Sequence, residues 1–390
     1  MVYLIILLAL IVFSINYDFR GNLVYKANKP YMFLCMCFIL LAGLRFFVGS
    51  DTHNYVYDFS VMPDLSKLSE FHRLNSRYQF GWDAYVCIIK SIFGNFVFVQ
   101  LITAIIVNVI LFWFIKRNTT NVFIALLCYY ILNYFEYNME IMREAIAVAL
   151  GLIAIMLYSK GYKRYYVLYV LLVFVAFEIH ISAVILLIVP FLVNVKYTKK
   201  KIIVIFLLSI IVPILFSQIS GLTEFVSLFT ASDPEYLSKY INQSLDDTRN
   251  IFYYLFLFVS YLVIPIICMF FLKEKTKYVG FIMAFIILRC LGMFTYAFYR
   301  FGNYFEPFYW ILLADAIYIF WKKIQMPKLL ITGVFTLCIL YIYQRDQMGE
   351  YHMYPGHKFY ERYIPYEMVN TTDHNYSINR SQYYFRNGTH

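Results

Sequence analysis

Charged side chains are scarce in this sequence. Asp, Glu, Lys and Arg together make up 14% of 390 residues, whereas 62% are apolar and the mean hydropathy is +0.65. Soluble domains carry about 25% charge, so the shortage excludes a soluble chain of two or three domains and leaves an integral membrane protein. Cysteine is sparse and unpatterned. The seven (Cys35, Cys37, Cys87, Cys128, Cys268, Cys290, Cys338) are odd in number, all fall in apolar runs and have no metal-ligand spacing, which sets aside a disulfide framework and a zinc site. A Gly-rich phosphate loop, an internal repeat and a low-complexity tract are also missing. The first apolar run, Met1 to about Phe13, lacks a basic start and a small-residue cleavage site before Asn16, and reads as a short first span rather than a removed signal.

What is present is a series of long apolar runs. "FVFVQLITAIIVNVILFWF" and "IFYYLFLFVSYLVIPIICMFFL" have about the 20 residues a helix needs to cross the hydrocarbon core, and neither alternates as a transmembrane strand would. The fold class is therefore all-α and polytopic. Spans are expected near residues 2–15, 31–48, 96–115, 121–135, 143–158, 165–178, 181–195, 201–217, 251–272, 279–298, 303–321 and 328–344, about twelve transmembrane helices.

The net charge of +10 would suit a nucleic-acid binder, but its distribution argues otherwise. Arg20, Lys26 and Lys29, then Lys116 and Arg117, then Lys160, Lys163 and Arg164, then Lys196 and Lys199 to Lys201, then Lys273, Lys275 and Lys277, then Lys322, Lys323 and Lys328 fall in short loops at alternate crossings. Only Asp18 and Glu274 accompany them. This is the positive-inside pattern and not a phosphate-backbone footprint, so no nucleic acid is expected as a partner. It places both termini outside. Residues 1–344 are then a single transmembrane domain with outer loops near 49–95 and 218–250, and residues 345–390 are an outer tail. Within the first loop, "RYQFGWDAYVCIIKSIF" could form an amphipathic or re-entrant helix, and Tyr-rich flanks suit an interfacial aromatic belt.

Ionisable residues within spans cost at least about 2.5–3.5 kcal/mol, so each is a candidate for function. Arg45 ends the second span in "RFFVGSDTHNY", Arg143 opens the fifth in "YNMEIMREAIAVAL", Arg289 sits mid-span in "FIILRCLGMF", and Arg300 follows in "YAFYRFGNYF". The topology puts Arg45, Arg143 and Arg300 at the outer mouth. Arginine grips phosphate with a permanently charged fork of donors, so a ring of such groups suits an anionic lipid headgroup and the charge that builds on a departing diphosphate. The alternative is snorkelling, or pairing with Glu136, Glu140, Glu144 or Glu306. "EIHIS" sets Glu178 and His180 at an outer turn, where a histidine can act as a base, hold a phosphate or hydroxyl, or simply be satisfied by backbone. Asp51 and His53 could take a proton from a sugar hydroxyl or pair with Arg45. Asp315 is expected to neutralise Arg289. A lone carboxylate in the first outer loop is a weak metal signal.

"RFFVGSDTHNYVYDF" resembles the Arg, Gly, Asp, Tyr signature after an early span of EpsG and Wzy-type polysaccharide polymerases. The long block from "MREAIAVAL" to "EIHISAVIL" resembles their central region, "FYRFGNYFEPF" their late arginine and tyrosine motif, and "YIPY" their outer tail. The resemblance covers roughly residues 40–195 and 290–370. It implies a GT-C-like membrane glycosyltransferase, without metal or other cofactor, on the outer face of a bacterial inner membrane. The reaction implied is the joining of undecaprenyl-diphosphate-linked oligosaccharide donor and acceptor into O-antigen or capsule chains, with a chain-length regulator as a possible partner. Carried onto this chain, it singles out Arg45, Gly49, Asp51, Tyr55, Arg143, His180, Arg300 and Tyr304. Arg143, Arg300, His180 and Asp51 are then the candidate catalytic residues, and Arg45, Arg289, Tyr55, Tyr304 and Glu178 the candidate substrate-binding ones. Where relatives often carry an acidic residue, this chain reads "YQFGW", and Gln79 cannot act as a base. A flippase for the same lipid-linked glycans and an accessory subunit of an export complex are the rival readings, though a flippase would need two related halves.

Overall fold

A computed structural model describes residues 2–21, 27–217, 251–293, 296–324, 327–349, 357–370, 378–379 and 383. The second expected outer loop, 218–250, lies outside the described residues. Among those described, every regular element is helical, joined by one isolated β-bridge between Arg45 and Met368. Each expected span overlaps helix among the described residues, with differences in extent. Four stretches, Val2–Phe19, Phe96–Asn118, Leu255–Lys275 and Lys328–Met348, are long and apolar enough to cross a membrane. Large apolar side chains such as Ile5, Met32, Val167, Phe174 and Ile203 stand exposed on the helices, as a lipid-facing surface requires.

The chain divides into two compact units. One comprises residues 1–73, 83–145 and 318–390, and the other comprises residues 74–82 and 146–317.

In the first unit, α1 (Val2–Phe13), α2 (Asn28–Gly43), α6 (Phe96–Asn118) and α7 (Val122–Leu132) build the core. Tyrosine holds it together. Tyr129, Tyr130, Tyr134 and Tyr137 are fully buried. Tyr134 donates to the Phe38 carbonyl, Tyr130 to that of Tyr3 and Tyr31 to that of Phe112, at 2.7–2.8 Å. In a medium without water, such bonds supply association that the hydrophobic effect cannot. Asn108, Asn138 and Tyr129 close a buried polar knot, with Asn108 Nδ2 2.6 Å from Asn138 Oδ1.

The first outer loop is largely helical: α3 (Thr52–Val61), α4 (Leu68–Asn75) and α5 (Phe80–Phe93). α5 is the amphipathic segment expected from the sequence. It buries Trp82, Asp83, Val86 and Cys87 and exposes Ile88, Ile92 and Phe93. Lys90 fixes α5 to the end of α3 by giving its ammonium donors to the carbonyls of Phe59, Ser60 and Met62 at 2.7–3.0 Å.

In the second unit the helix Val279–Gly292 packs between Lys199–Ser217 and Tyr296–Asn303. Phe281 stacks on Phe308 and Phe285 on Tyr309 at 4.6–4.8 Å between ring centres. The segment expected as a span over 181–195 is a 3₁₀ helix over Ile181–Ile188 followed by a single α-turn, Val189–Leu192. Pro190 at the start of that turn has no N–H to give. The span expected over 303–321 breaks at Tyr304 and Phe305, leaving the short helix Tyr296–Asn303 before Glu306–Lys323.

Candidate functional site

The first unit holds Arg45, Asp51, Tyr55 and Arg143. α2 stops at Gly43, short of the expected end at 48, because the chain there is fastened to residues far along the sequence. Phe46 N–H donates to the Glu367 carbonyl at 2.9 Å, Val369 N–H to Leu44 at 3.1 Å and Gly49 N–H to Arg362 at 3.0 Å. Arg45 is 1% exposed. Its guanidinium closes the turn, donating to the carbonyl of Val48 at 3.1 Å and to that of Ala42, and lying 3.1 Å from Met142 Sδ. Gly49 has a φ of +98°, and a Cβ there would stand 2.4 Å from the Met139 carbonyl oxygen, so both conformation and space demand glycine.

Glu140 then orders the mouth of this turn. A π-helical stretch, Glu136–Glu140, precedes α8 (Met142–Tyr158) and turns the Glu140 carboxylate toward the start of α3. It accepts from Ser50 Oγ at 2.6 Å, from Ser50 N–H at 3.2 Å and from Asp51 N–H at 3.1 Å, and lies 3.2 Å from the Arg362 guanidinium. Helix N-terminal amides and a cation thus share one acid. Asp51 caps the start of α3 through its backbone, Tyr55 is buried one turn on, and Arg143 stands half-buried at the start of α8.

The second unit holds Glu178, His180, Arg289, Arg300 and Tyr304, and brings three of them together. His180 takes extended backbone angles, which end the helix α9 (Lys163–Ile179) and begin the 3₁₀ segment. Its Nε2 lies 3.5 Å from Arg300 Nη1. Its Nδ1 lies 2.6 Å from Ser182 Oγ and 3.3 Å from Ser182 N–H. A guanidinium and a backbone N–H can both only donate, so each ring nitrogen meets a donor, Nδ1 that of Ser182 and Nε2 that of Arg300, and a neutral ring accepts from one of them at a time. Ser182 Oγ is in turn 3.1 Å from Tyr304 Oη. A buried chain of Tyr304, Ser182 and His180 therefore ends on Arg300. Glu178 is half-buried, and its backbone carries Gly81 of α5 so closely that a Cβ would come 2.6 Å from the Glu178 carbonyl oxygen.

Arg289 is buried. It pairs with Glu306, donates to Asn303 Oδ1 at 2.7 Å and to the Tyr299 carbonyl at 3.0 Å, and lies 3.9 Å from the centre of the Tyr299 ring. The expected partner, Asp315, gives way to Glu306 because Glu306 opens its helix directly after the break at Tyr304, whereas Asp315 lies about 13 Å farther along the same helix.

Three groups escaped sequence reading. Ser182 sits inside the quoted "EIHIS" but is an ordinary small residue by type. Arg362 lies in the tail, distant in sequence from the acid it meets. His72 and Asp83 are paired across the α4–α5 turn at 2.7 Å, signalled only by an acid on the buried face of an apolar helix. Among the described residues, no three His, Cys, Asp or Glu side chains gather as ligands for a metal ion. All seven cysteines are free thiols.

Among known proteins, no curated protein and no solved structure matches the chain. A model of the EpsG family matches residues 28–368, which reaches into both units and takes in all nine candidate residues. With most of its length covered by that match, this multi-pass, all-helical chain belongs to the EpsG family.

Proposed function

We propose that the chain is a membrane glycosyltransferase that joins lipid-diphosphate-linked oligosaccharide repeat units, carried on undecaprenyl, into O-antigen or capsule chains at the outer face of the inner membrane. Family membership suggests a polysaccharide polymerase-type role, and the observation that carries the chemistry is the Tyr304–Ser182–His180–Arg300 chain. It sets the Arg300 guanidinium 3.5 Å from an imidazole nitrogen that is itself tied to Ser182. Each substrate brings one diphosphate. Arg300 holds the donor's, taking up the charge that develops as the anomeric C–O bond breaks, and Arg143 holds the acceptor's. His180 positions Arg300 rather than reacting itself. Asp51, Tyr55 and Glu178 orient the glycan, and Arg45 and Arg289, both buried, fix the backbone that presents these groups.

The test is chain growth by the purified full-length protein in nanodiscs supplied with lipid-diphosphate-linked repeat units extracted from cells that lack it. A ladder of products is expected from the wild type and single units from Arg300→Ala or Arg143→Ala. Transfer of glycan across vesicle membranes with no new glycosidic bond would replace this reading with that of a flippase.

A further inference from the structure

We propose that the end of the second unit at which the helices Lys199–Ser217 and Val279–Gly292 begin binds the phosphate of an anionic phospholipid. The site goes beyond the polymerase reading and does not depend on it.

The packing of the two helices brings their starts together. The side chains of Ser209 and Cys290 meet, about ten residues into each helix, or about 15 Å along it. Gly280 fixes the direction. It packs so closely on the Leu192 carbonyl that a Cβ would not fit, and Leu192 is where the chain enters the turn leading to Lys199. The turns 193–198 and 273–278 therefore lie at one end of the unit.

Residues 196–201 and 273–277 hold seven lysines against one acid, Glu274. The positive-inside rule asks for such lysines and nothing more. It does not account for the hydroxyls set among them. Thr276 is 7% exposed although Lys275 and Lys277 on either side are exposed, and its Oγ1 is buried without a hydrogen-bond partner among the described residues. Tyr197 Oη, in the other turn, is buried in the same state. An unanswered buried donor is costly, and a phosphate oxygen is an acceptor for a hydroxyl as well as a counter-charge for lysine. Thr276 also stands directly ahead of the helix Val279–Gly292, which starts on Tyr278 at a left-handed φ of +56° with no side-chain cap. A helix start so placed favours an anion.

Lys201 braces the first turn. Its ammonium donates to the Lys196 carbonyl at 3.2 Å, and its backbone N–H to Thr198 Oγ1 at 3.3 Å. Lys199 and Lys200 stand exposed before it. The apolar surroundings make the phosphate that of a lipid and not a free ion. Phe191 is 80% exposed, and Ile203, Val204 and Leu207 are exposed within two turns of Lys200. Cations bordering a greasy surface suit a charged headgroup with its acyl chains alongside. On the expected topology this is the inner leaflet.

The experiment follows the melting temperature of the purified full-length protein in detergent as phosphatidylglycerol, phosphatidylcholine with the same acyl chains, or inorganic phosphate is added. Native mass spectrometry counts the lipid retained. Phosphatidylglycerol should raise the melting temperature saturably and stay bound, whereas the other two additions should leave it unchanged. Replacing Lys199 and Lys200 by Gln should weaken phosphatidylglycerol binding roughly fivefold for each lysine, with Lys201 and its brace untouched. Thr276→Val separates a built site from charge alone. Without lipid it should melt no lower than the wild type, because an unanswered hydroxyl is removed, yet it should lose most of the rise given by phosphatidylglycerol. Equal rises with phosphatidylglycerol and phosphatidylcholine would overturn the site, as would a monodisperse Thr276→Val that keeps the whole rise. An equal rise with inorganic phosphate would overturn the lipid as its source.

Discussion

Arg362, in the segment after the last described long helix, lies 3.2 Å from Glu140, which in turn grips the first amides of α3. Both side chains are about 8% exposed. One carboxylate therefore joins three pieces of chain that are distant in sequence: the turn after α2, the start of α8 and the tail. Removing one partner of such a buried pair leaves the other charge stranded, which costs about 3–5 kcal/mol. Arg362→Ala and Glu140→Gln should each lower thermal stability in detergent and abolish chain growth. The double variant should recover stability, because neither charge is then orphaned, without recovering activity. Equal stability of the single and double variants would mean that the pair is not coupled.

Glycine at positions 49 and 81 is required for different reasons, and alanine should separate them. At Gly49 the φ of +98° and the Met139 carbonyl both oppose a Cβ, so Gly49→Ala should cost at least about 2 kcal/mol, read as a lower melting temperature and poor yield. Gly81 is helical, and the obstacle is only the Glu178 backbone. Gly81→Ala should cost about 1–3 kcal/mol of overpacking and act on the turn that precedes His180. Its loss of chain growth should therefore exceed what its melting temperature predicts.

Burial pushes the His53 imidazole below the ordinary histidine value of 6.5. The unfolded chain then binds this proton at a higher pH than the folded chain does, so between the two values the unfolded state carries more protons. Stability is present above the ordinary value and falls as pH drops through it toward the depressed one. His53→Gln should flatten that acid-side decline in melting temperature. An unaltered decline would assign the effect to another group.

The apolar runs made the helices legible because a helix across a bilayer must be long and greasy whatever it packs against. The breaks were not legible. α2 ends early because Phe46 and Gly49 hydrogen-bond to Glu367 and Arg362, and no local signal at residue 44 encodes a partner hundreds of positions away. The hydrogen bonds of the buried tyrosines were not legible either, because a phenol suits both an interface and an interhelical hydrogen bond, and composition cannot separate the two. Among the site residues, His180, Arg300 and Tyr304 were singled out by motif and are gathered by the structure. Ser182, which joins two of them, has no chemistry in the sequence until its neighbours are placed.

That serine offers the sharpest dissection of the second unit. If Ser182 Oγ fixes the orientation of the His180 ring that faces Arg300, then Ser182→Ala removes one hydrogen bond while leaving every charge in place. A net hydrogen bond is worth about 0.5–1.5 kcal/mol, so chain growth should slow by up to about tenfold, in kcat/KM for the donor, with the melting temperature little changed. Tyr304→Phe removes the next link and should produce a loss of similar size. Because the two hydroxyls act on the same imidazole, the double variant should be no slower than the worse single one, the non-additivity expected of groups in one network. Losses that multiply would mean that Tyr304 touches the substrate on its own account, and the relay to Arg300 would then have to be abandoned.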